Sequence, residues 1–559
     1  MEWVQAYNPL GLAWLSTLAA ALPIVLLFFT LGILQRPAHK AALYALLGAL
    51  AVAILPYGMP PRAAIAAAAY GAAYGLFPIG WIVLNAVFLY NLTVFSGTFE
   101  IVKTSVAHLS TDRRIQALLV AFSFGAFIEG AAGFGAPVAI SAALMIGLGF
   151  EPLHAAGLSL IANTAPVAFG AIGTPILTLA AITGFPPETL SAMAGRQLPF
   201  ISVLIPVWLI VTMSGWKGLK EVWPAAVVSG GSFAATQFFW SNYVGPELVD
   251  IVGGMASLSC TAAFCAFWKP SGVIRSGAPA FQAPPARARL SGLRTAHGWM
   301  PWIFLSLFVM LWGVAPVKAL MSRGSILSPS FSIPGLDRMV YRDYPVEPQP
   351  ADRARLAEPA YKSQRAEAAR FTLNWLSATG TGILFAALAA AVYLRIRPRD
   401  VLRVMGETFR STRWALLTIA FMLSLGMVTR YGGTDATLGL AFTRTGFLYP
   451  FFAALLGWLG VALTGSDTSS NVLFGSLQKI TAQQLGLNPI LITTSNSTGG
   501  VMGKMLAAQS IVVATASTGQ AGQEGKILRY VFWHSIVLAA VMGLITMLQA
   551  YVFTWMVPK

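Results

Sequence analysis

The sequence predicts an all-α polytopic membrane protein with roughly 12–14 transmembrane helices of about 20 residues each, two inverted-topology repeats, and broken or re-entrant helices. The first observation behind this prediction is the composition: 56% of the 559 residues are hydrophobic and only 10% are charged. Soluble domains carry about 25% charged residues, so the composition excludes a soluble protein. The other two observations are long apolar runs and two apolar stretches that glycine and proline interrupt.

Apolar runs of about 20 residues recur along the chain, as membrane-spanning helices require. They include residues 10–34, 201–214, 301–317, 373–394 and 530–557. The first run lacks a basic n-region and a small-residue cleavage site, so we expect a retained span and not a signal peptide. These runs predict a multi-pass protein of the plasma membrane (the inner membrane in a Gram-negative bacterium), in direct contact with the lipid bilayer.

The basic residues predict the orientation and the division of the chain. Cytoplasmic loops carry an excess of Lys and Arg, and residues 269–299 hold several of them with no acid. We therefore expect a basic cytoplasmic loop at 269–299 between two transmembrane halves, residues 1–268 and 300–559. The N-terminus and the long loop 318–370 are expected outside. Because the net charge of +16 collects in orienting loops, nucleic acid is not an expected partner.

Residues 122–180 form the first interrupted stretch and the first repeat motif. Glycine and proline break it at Gly130, Gly133, Gly135, Pro137, Pro166 and Pro175. The stretch also contains an acid, Glu129, and an amide, Asn163. Irregular backbone at membrane depth occurs only inside protein or along a water-filled cavity, because unsatisfied backbone groups are costly in hydrocarbon. Such broken helices indicate the binding site of a transporter.

Residues 463–514 form the second repeat motif. Each motif contains a Gly-x-x-Pro unit, from Gly149 to Pro152 in the first and from Gly486 to Pro489 in the second. The loop charges predict that the chain enters the two motifs from opposite faces of the membrane. Inverted-topology repeats have this arrangement.

Two acids within these motifs are candidates for proton coupling, Glu129 and Asp467. An ionisable group at membrane depth costs about 2.5–3.5 kcal/mol on insertion scales and is a functional candidate by default. Glu129 stands alone in an apolar run, where it either carries a proton or caps or pairs as a structural acid. Asp467 lies among hydroxyl and amide residues, which suits either a polar cavity or a helix N-cap.

Lys504 is the candidate receptor for an anion. It follows the glycines Gly499, Gly500 and Gly503, and glycine amides beside an ammonium group suit a small anion. A snorkelling lysine or an ion-pair partner of the acids is the alternative. Polar side chains of the two motifs complete the predicted binding set: Asn163, Ser466, Thr468, Asn471 and Asn496.

At these residues the chain resembles the L-lactate permease family. The resemblance rests on GAFIEGAAGFGAPVAI, NTAPVAFGAIGTPIL, GWLGVALTGSDTSSNVLFG and GGVMGKMLAAQSI, which keep the family's order. It implies a secondary transporter that imports L-lactate, and commonly D-lactate and glycolate, by proton symport. Ala507 and Ala508 stand where the family more often has Ser and Pro, a departure that bears on substrate preference.

The sequence leaves other functions open. A carrier of the same fold for another small organic anion is one alternative. A sodium-coupled carrier is another, because residues 466–471 could ligate sodium. A membrane-embedded enzyme is disfavoured, since the chain has no HExxH motif, no metal-spaced histidines and no nucleotide-binding loop. We expect no metal and no cofactor, and the sequence carries no signal for the oligomeric state.

Overall fold

The computed structural model describes residues 2–34, 36–107, 109–133, 135–270, 291–347, 363, 365–520 and 523–558. Part of the basic loop expected at 269–299 lies outside these residues. The first half contains helices α1 (Ala13–Phe28), α2 (Ala38–Ile54), α3 (Pro61–Tyr74), α4 (Trp81–Phe95), α5 (Thr98–Ala107), α6 (Arg113–Gln116), α7 (Gly125–Ala131), α8 (Ala136–Gly147), α9 (Pro152–Ala162), α10 (Gly170–Thr183), α11 (Pro187–Ala194), α12 (Leu198–Tyr243) and α13 (Val249–Phe267).

The second half continues with further helices and short strands. Its helices are α14 (Gly292–Gly313), α15 (Ala315–Met321), α16 (Gly324–Leu327), α17 (Thr379–Tyr393), α18 (Pro398–Gly432), α19 (Thr434–Phe442), α20 (Tyr449–Thr464), α21 (Asp467–Gln484), α22 (Pro489–Gly503), α23 (Ala508–Ser517) and α24 (Glu524–Tyr551). The strands are β1 (Trp3–Val4), β2 (Ser330–Ser332), β3 (Val340–Tyr341) and β4 (Arg370–Thr372). π-helical segments at Phe29–Ile33, Gly75–Gly80 and Ala117–Phe124 extend or join α-helices.

The all-α polytopic class is confirmed. Ten helices in the described residues are long and apolar enough to cross a membrane, or eleven if the bent pair formed by α9 and Val167–Thr183 is one span. The shorter apolar helices α2, α8 and α17 lie among them. The number of long helices is below 12–14 because hairpins and broken helices use apolar residues without completing a straight crossing.

The N-terminus and the described residues of the loop 318–370 lie together in one cap. Strand β1 pairs with β3 in parallel, and β2 pairs with β4 antiparallel. Glu367 of this loop forms ion pairs with Arg342 and, at 3.0 Å, with Arg430 of α18. Burial alone would raise the pKa of Glu367, but the two guanidinium groups lower it to about 2. The two segments that were both expected outside therefore share one face.

The two repeat motifs have the same backbone plan: helix, break, helix, turn, helix, break, helix. In the first repeat the path from Arg113 to Ala131 is followed by α8, α9 and α10. In the second, α20 is followed by α21, α22 and α23. Gly149 (φ 85°) and Gly486 (φ 66°) make the left-handed turns after α8 and α21, a conformation that favours glycine. Pro152 and Pro489 then begin α9 and α22.

The turns of the two hairpins point toward opposite faces. At the turn of the first hairpin, the Gly149 carbonyl accepts a hydrogen bond from Arg113. Beside the turn of the second, Gln484 donates a hydrogen bond to the Pro345 carbonyl of the cap, at 2.8 Å. In addition, α8 packs against α23 and α10 packs against α21, the exchange of partners that a two-fold axis between the repeats produces. The inverted-repeat prediction agrees with this packing.

Candidate functional site

The broken ends of both repeats surround one cavity of about 290 Å³. The first repeat contributes Glu129, Gly133 and the start of α10, and the second contributes Lys504 and the end of α20 with the start of α21. Helices α1, α2 and α18, which lie outside the repeats, close the cavity along one side. His39 and Trp414 stack there with ring centroids 4.4 Å apart. Lys40 adjoins His39 and Arg413 adjoins Trp414. Because basic residues are enriched on the cytoplasmic side of membrane proteins, we expect the cavity to extend toward that side.

Three half-helix N-termini reach the cavity. The walls include the first residues of α10 and α21 and, through Gln509, the start of α23. At α10 the backbone is unwound, since Ala171 (φ 45°), Ile172 (φ 57°) and Gly173 (φ 70°) are all left-handed. Helix N-termini carry partial positive charge and free N–H groups, and non-glycine residues with positive φ concentrate at functional sites. The wall is therefore suited to an anion.

Lys504 places an ammonium group in this wall. It is the C-cap of α22, it is only 9% exposed, and its Nζ donates a hydrogen bond of 2.7 Å to the Gly465 carbonyl. Within the described residues it forms an ion pair with neither Glu129 nor Asp467. A neutral carbonyl holds the ammonium group in position, while the Glu129 and Asp467 carboxyl groups are near enough to interact with its charge without contacting it.

Glu129 lines the same cavity from the first repeat. The helical path Arg113–Ala131 that carries it is 94% buried, so this segment contacts protein and not lipid. The carboxyl group lies against Gly170, where an added Cβ would be 2.5 Å from Oε1. Its Oε2 has no hydrogen-bond partner in the described part of the chain. Glu129 is thus a buried acid without a counter-ion in contact.

Asp467 is the second acid of the cavity and begins α21. Its Oδ2 accepts a hydrogen bond from the Ser497 hydroxyl, whereas its Oδ1 has no partner among the described residues. The N-cap of α21 is Ser466, whose Oγ accepts from the Ser469 amide at 3.2 Å. The capping interaction that was considered for Asp467 is therefore made by its neighbour. Ser466 and Thr468 both line the cavity.

Two predicted amides lie in a buried network next to the cavity. Asn496 Nδ2 donates to Asn471 Oδ1 at 2.9 Å, and Asn471 Nδ2 donates to the Pro175 carbonyl at 3.1 Å. Gln478 donates to Asn496 Oδ1 at 2.8 Å. This network joins α21 and α22 of the second repeat to α10 of the first. Asn471 and Asn496 therefore position the cavity walls and do not line the cavity.

The remaining predicted residues also lie behind the walls. Gly499, Gly500 and Gly503 are inside α22, where a side chain would overlap Ala454, Asp467 or Trp458. Close approach of α22 to α20 and to the Asp467 carboxylate requires glycine at these positions. Asn163 is the C-cap of α9, it is 2% exposed, and it lies beside Glu129. Neither of its amide atoms has a well-formed hydrogen bond in the described residues.

Several polar residues of the site were not predicted from the sequence. Thr174, Thr418 and Gln509 line the cavity, although each lies in an ordinary apolar context in the sequence. Asp250 is buried near Glu129, and it was not among the predicted site residues. The signal available for Asp250 was its position at the start of an apolar run of helical length.

The chain was compared with known proteins. Residues 16–553 match the family described as L-lactate permease. The chain is 47% identical to "Glycolate permease GlcA" of Escherichia coli K12, over 100% of this chain and 99% of that protein. It is 45% identical to "L-lactate permease" of the same strain and 44% identical to "L-lactate permease" of Bacillus subtilis 168, with full coverage of all chains. The Alcanivorax borkumensis YdaH transporter aligns with a TM-score of 0.46 and 13% identity over 88% of each chain.

Proposed function

Because the chain belongs to the L-lactate permease family, we propose that it imports L-lactate, and also D-lactate and glycolate, by proton symport across the plasma membrane. In this proposal the chain is a carrier and not an enzyme. The observation that carries the proposal is the Lys504 ammonium group, which is held by a backbone carbonyl at the point where the broken ends of two inverted repeats meet. Inverted-repeat carriers bind their substrates at such breaks.

The substrate carboxylate would bind between Lys504 and the N-terminus of α21. A charged group at this depth requires a partner, since an unpaired buried charge is very costly. The ammonium group supplies opposite charge, and the first amides of α21 and the unwound segment of α10 supply N–H donors. The cavity of about 290 Å³ equals the liquid volume of about ten water molecules. An acid of six heavy atoms fits there together with water.

The hydroxyl group of a 2-hydroxy acid would interact with Ser466 and Thr468. Both side chains are half-buried and line the cavity beside Lys504. Ser466 Oγ already accepts a hydrogen bond from a backbone amide, so its own hydrogen remains available to donate. Asn471 and Asn496 contribute to binding indirectly, because their hydrogen bonds fix α21 and α22 against α10.

Glu129 would carry the coupled proton, with Asp467 as a second acid. Both carboxyl groups line the cavity, and each has an oxygen without a partner in the described residues. A proton on Glu129 and an anion beside Lys504 each remove an isolated charge from the cavity, so loading both together lowers the cost of moving the repeats. This mutual dependence would couple the transport of lactate to the transport of protons.

Proton coupling is favoured over sodium coupling by one contact. The Gly465 carbonyl adjoins residues 466–471. It already accepts a hydrogen bond of 2.7 Å from the Lys504 ammonium group. A sodium ion bound to these residues would have to share this site with a fixed positive charge. The hydroxyl cluster is therefore better suited to an anion than to a second cation.

Uptake of labelled lactate into proteoliposomes tests the proposal. We expect accumulation under an inward proton gradient, no change on replacing sodium with choline, and competition by D-lactate and glycolate. An absence of pH-driven accumulation, or an absolute requirement for sodium, would refute proton symport. Failure of lactate and glycolate to compete with a transported anion would instead assign the chain to another organic acid.

A further inference from the structure

Another buried acid, Asp250, lies behind Glu129 and does not line the cavity. Asp250 is in the first turn of α13 and is 1% exposed. Neither of its carboxylate oxygens has a hydrogen-bond partner in the described part of the chain. An acid buried at membrane depth without partners is very costly when ionised, and such residues mark ion pathways or proton relays.

The packing of α13 against α7 brings Asp250 to Glu129. Gly130 follows Glu129 directly, and a Cβ added there would lie 2.7 Å from the Asp250 Cβ and 2.8 Å from the Ile251 amide nitrogen. Glycine is therefore required for this approach. The two carboxyl groups are close enough to repel each other when both are ionised.

Glu129 is also the only titratable group that faces Asp250 from the described elements packed against α13. These elements are α7, α10, α12 and the segment Ala117–Phe124. Residues 217–221 of α12 carry charge, but this part of α12 packs near Phe264 and Trp268, at the opposite end of α13. No cation therefore compensates Asp250 from these elements.

Asp250 connects Glu129 to a different face from the one that the cavity reaches. Glu129 lines the cavity, whereas Asp250 does not. Asp250 follows the loop that contains Glu247, which is half-buried and accepts a hydrogen bond of 3.3 Å from Thr379 Oγ1. Burial raises the pKa of Glu247, so its carboxyl group binds a proton more readily than an exposed glutamate does. Lys318, the first residue of the loop predicted to be outside, is near enough to Glu247 to interact with its charge, so Glu247 lies on that side.

We propose that Asp250 and Glu129 share one proton and that Asp250 supplies it to Glu129 from the Glu247 side, by a route separate from the lactate cavity. Two adjacent carboxyl groups cannot easily ionise together, so the pair retains one proton and one negative charge. In the transfer step the O–H bond of Asp250 breaks and an O–H bond forms on Glu129. As Glu129 releases this proton, a hydronium ion that enters beside Glu247 protonates the Asp250 carboxylate and is left as water, so the pair again holds one proton. This inference rests on the proposed proton symport.

The test separates proton-driven accumulation from lactate exchange, which needs no net proton movement. Asp250→Asn in proteoliposomes is expected to retain exchange of labelled for unlabelled lactate within about twofold of the unchanged protein, but to lose at least about tenfold in pH-driven accumulation. Asp250→Glu keeps a carboxyl group and is expected to restore accumulation. Glu188→Gln removes an exposed acid on the same face and should behave like the unchanged protein.

Each outcome decides a different point. Normal pH-driven accumulation by Asp250→Asn would overturn the relay, and so would equal loss of exchange and accumulation in a variant that elutes as a monodisperse species. If Asp250→Asn does not fold, Asp250→Glu decides: accumulation in that variant supports the relay, and exchange without accumulation refutes it. Failure of the unchanged protein to accumulate lactate under a pH gradient would instead refute the proposed symport itself.

Discussion

The two repeats share a backbone plan but differ in the chemistry of their breaks. The first repeat has an acid, Glu129, before a break lined by glycine and alanine, and the second has Asp467 with hydroxyl groups and an ammonium group. The difference is sharpest at the two equivalent C-caps, where α9 ends in the neutral Asn163 and α22 ends in the cationic Lys504. One repeat is therefore suited to hold a proton and the other to hold an anion.

This difference indicates how one cavity can couple two substrates. Because α10 packs on α21 and α8 packs on α23, a shift of one repeat moves the wall supplied by the other. The proposed proton site and the proposed anion site would then respond together, although they lie on different repeats. If the two repeats divide these roles, variants of the first should lose proton coupling and variants of the second should lose anion binding.

The strongest test of the proton role is Glu129→Gln. Glutamine keeps the shape of the side chain but cannot release a proton, so we expect complete loss of pH-driven lactate accumulation with lactate exchange retained. Uptake of labelled lactate under a pH gradient measures accumulation, and exchange of labelled for unlabelled lactate without a gradient measures the activity that should remain. Asp467→Asn should lose less of the pH-driven accumulation, because Oδ2 of Asp467 already accepts a hydrogen bond from Ser497. A larger loss for Asp467→Asn than for Glu129→Gln would reverse the assignment.

The strongest test of the anion role is Lys504→Ala. Removing a charged hydrogen-bond partner costs about 1.5–3 kcal/mol, so lactate affinity should fall by about 10- to 100-fold. Binding of lactate to the purified protein measures this change. Lys479→Ala is the matched control, since Lys479 also donates to a backbone carbonyl, Thr183 at 2.6 Å, but does not line the cavity. Unchanged affinity in Lys504→Ala would make this lysine structural.

The cap provides a test beside the turn between α21 and α22 of the second repeat. Because the pKa of Glu367 is lowered to about 2 in the folded protein from 4.5, its ion pairs stabilise the fold above pH 4.5. This contribution, about 3 kcal/mol by linkage, is lost as the pH falls toward 2. Thermal unfolding in detergent should show a steeper loss of stability between pH 5 and 3 than Glu367→Gln shows. Parallel pH profiles for the two proteins would contradict this account.

The smallest effect is expected at Ser466, which is proposed to bind the hydroxyl group of lactate. Ser466→Ala removes one neutral hydrogen bond, worth about 0.5–1.5 kcal/mol, so the preference for lactate over propionate should narrow only by several-fold. Competition by the two acids measures this preference. Asn471→Ala is the contrasting variant: its amide bonds the Pro175 carbonyl behind the wall, so it should lower thermal stability and leave the preference unchanged. An equal decrease of the preference for lactate in both variants would show that Ser466 and Asn471 do not differ in their roles.

The sequence by itself determined the architecture of this protein and the location of its breaks. Long apolar runs with few charges permit only membrane helices, because lipid offers the backbone no hydrogen-bond partners. The same rule makes Gly130, Gly133 and Pro166 stand out as interruptions. Gly149 with Pro152, and Gly486 with Pro489, mark the equivalent turns because left-handed and first-turn positions select these residue types.

Only the tertiary structure decided which polar residues face the cavity. Ser466 and Asn471 are five positions apart in one polar segment, yet the first lines the cavity and the second binds Pro175 behind it. Each residue of an α-helix is turned by about 100° from the last, so the direction of a side chain depends on how neighbouring helices pack. The burial of Asp250 has the same origin, because an acid at a helix start is exposed or enclosed according to what packs against it. Here Gly130 of α7 lets that helix close over it.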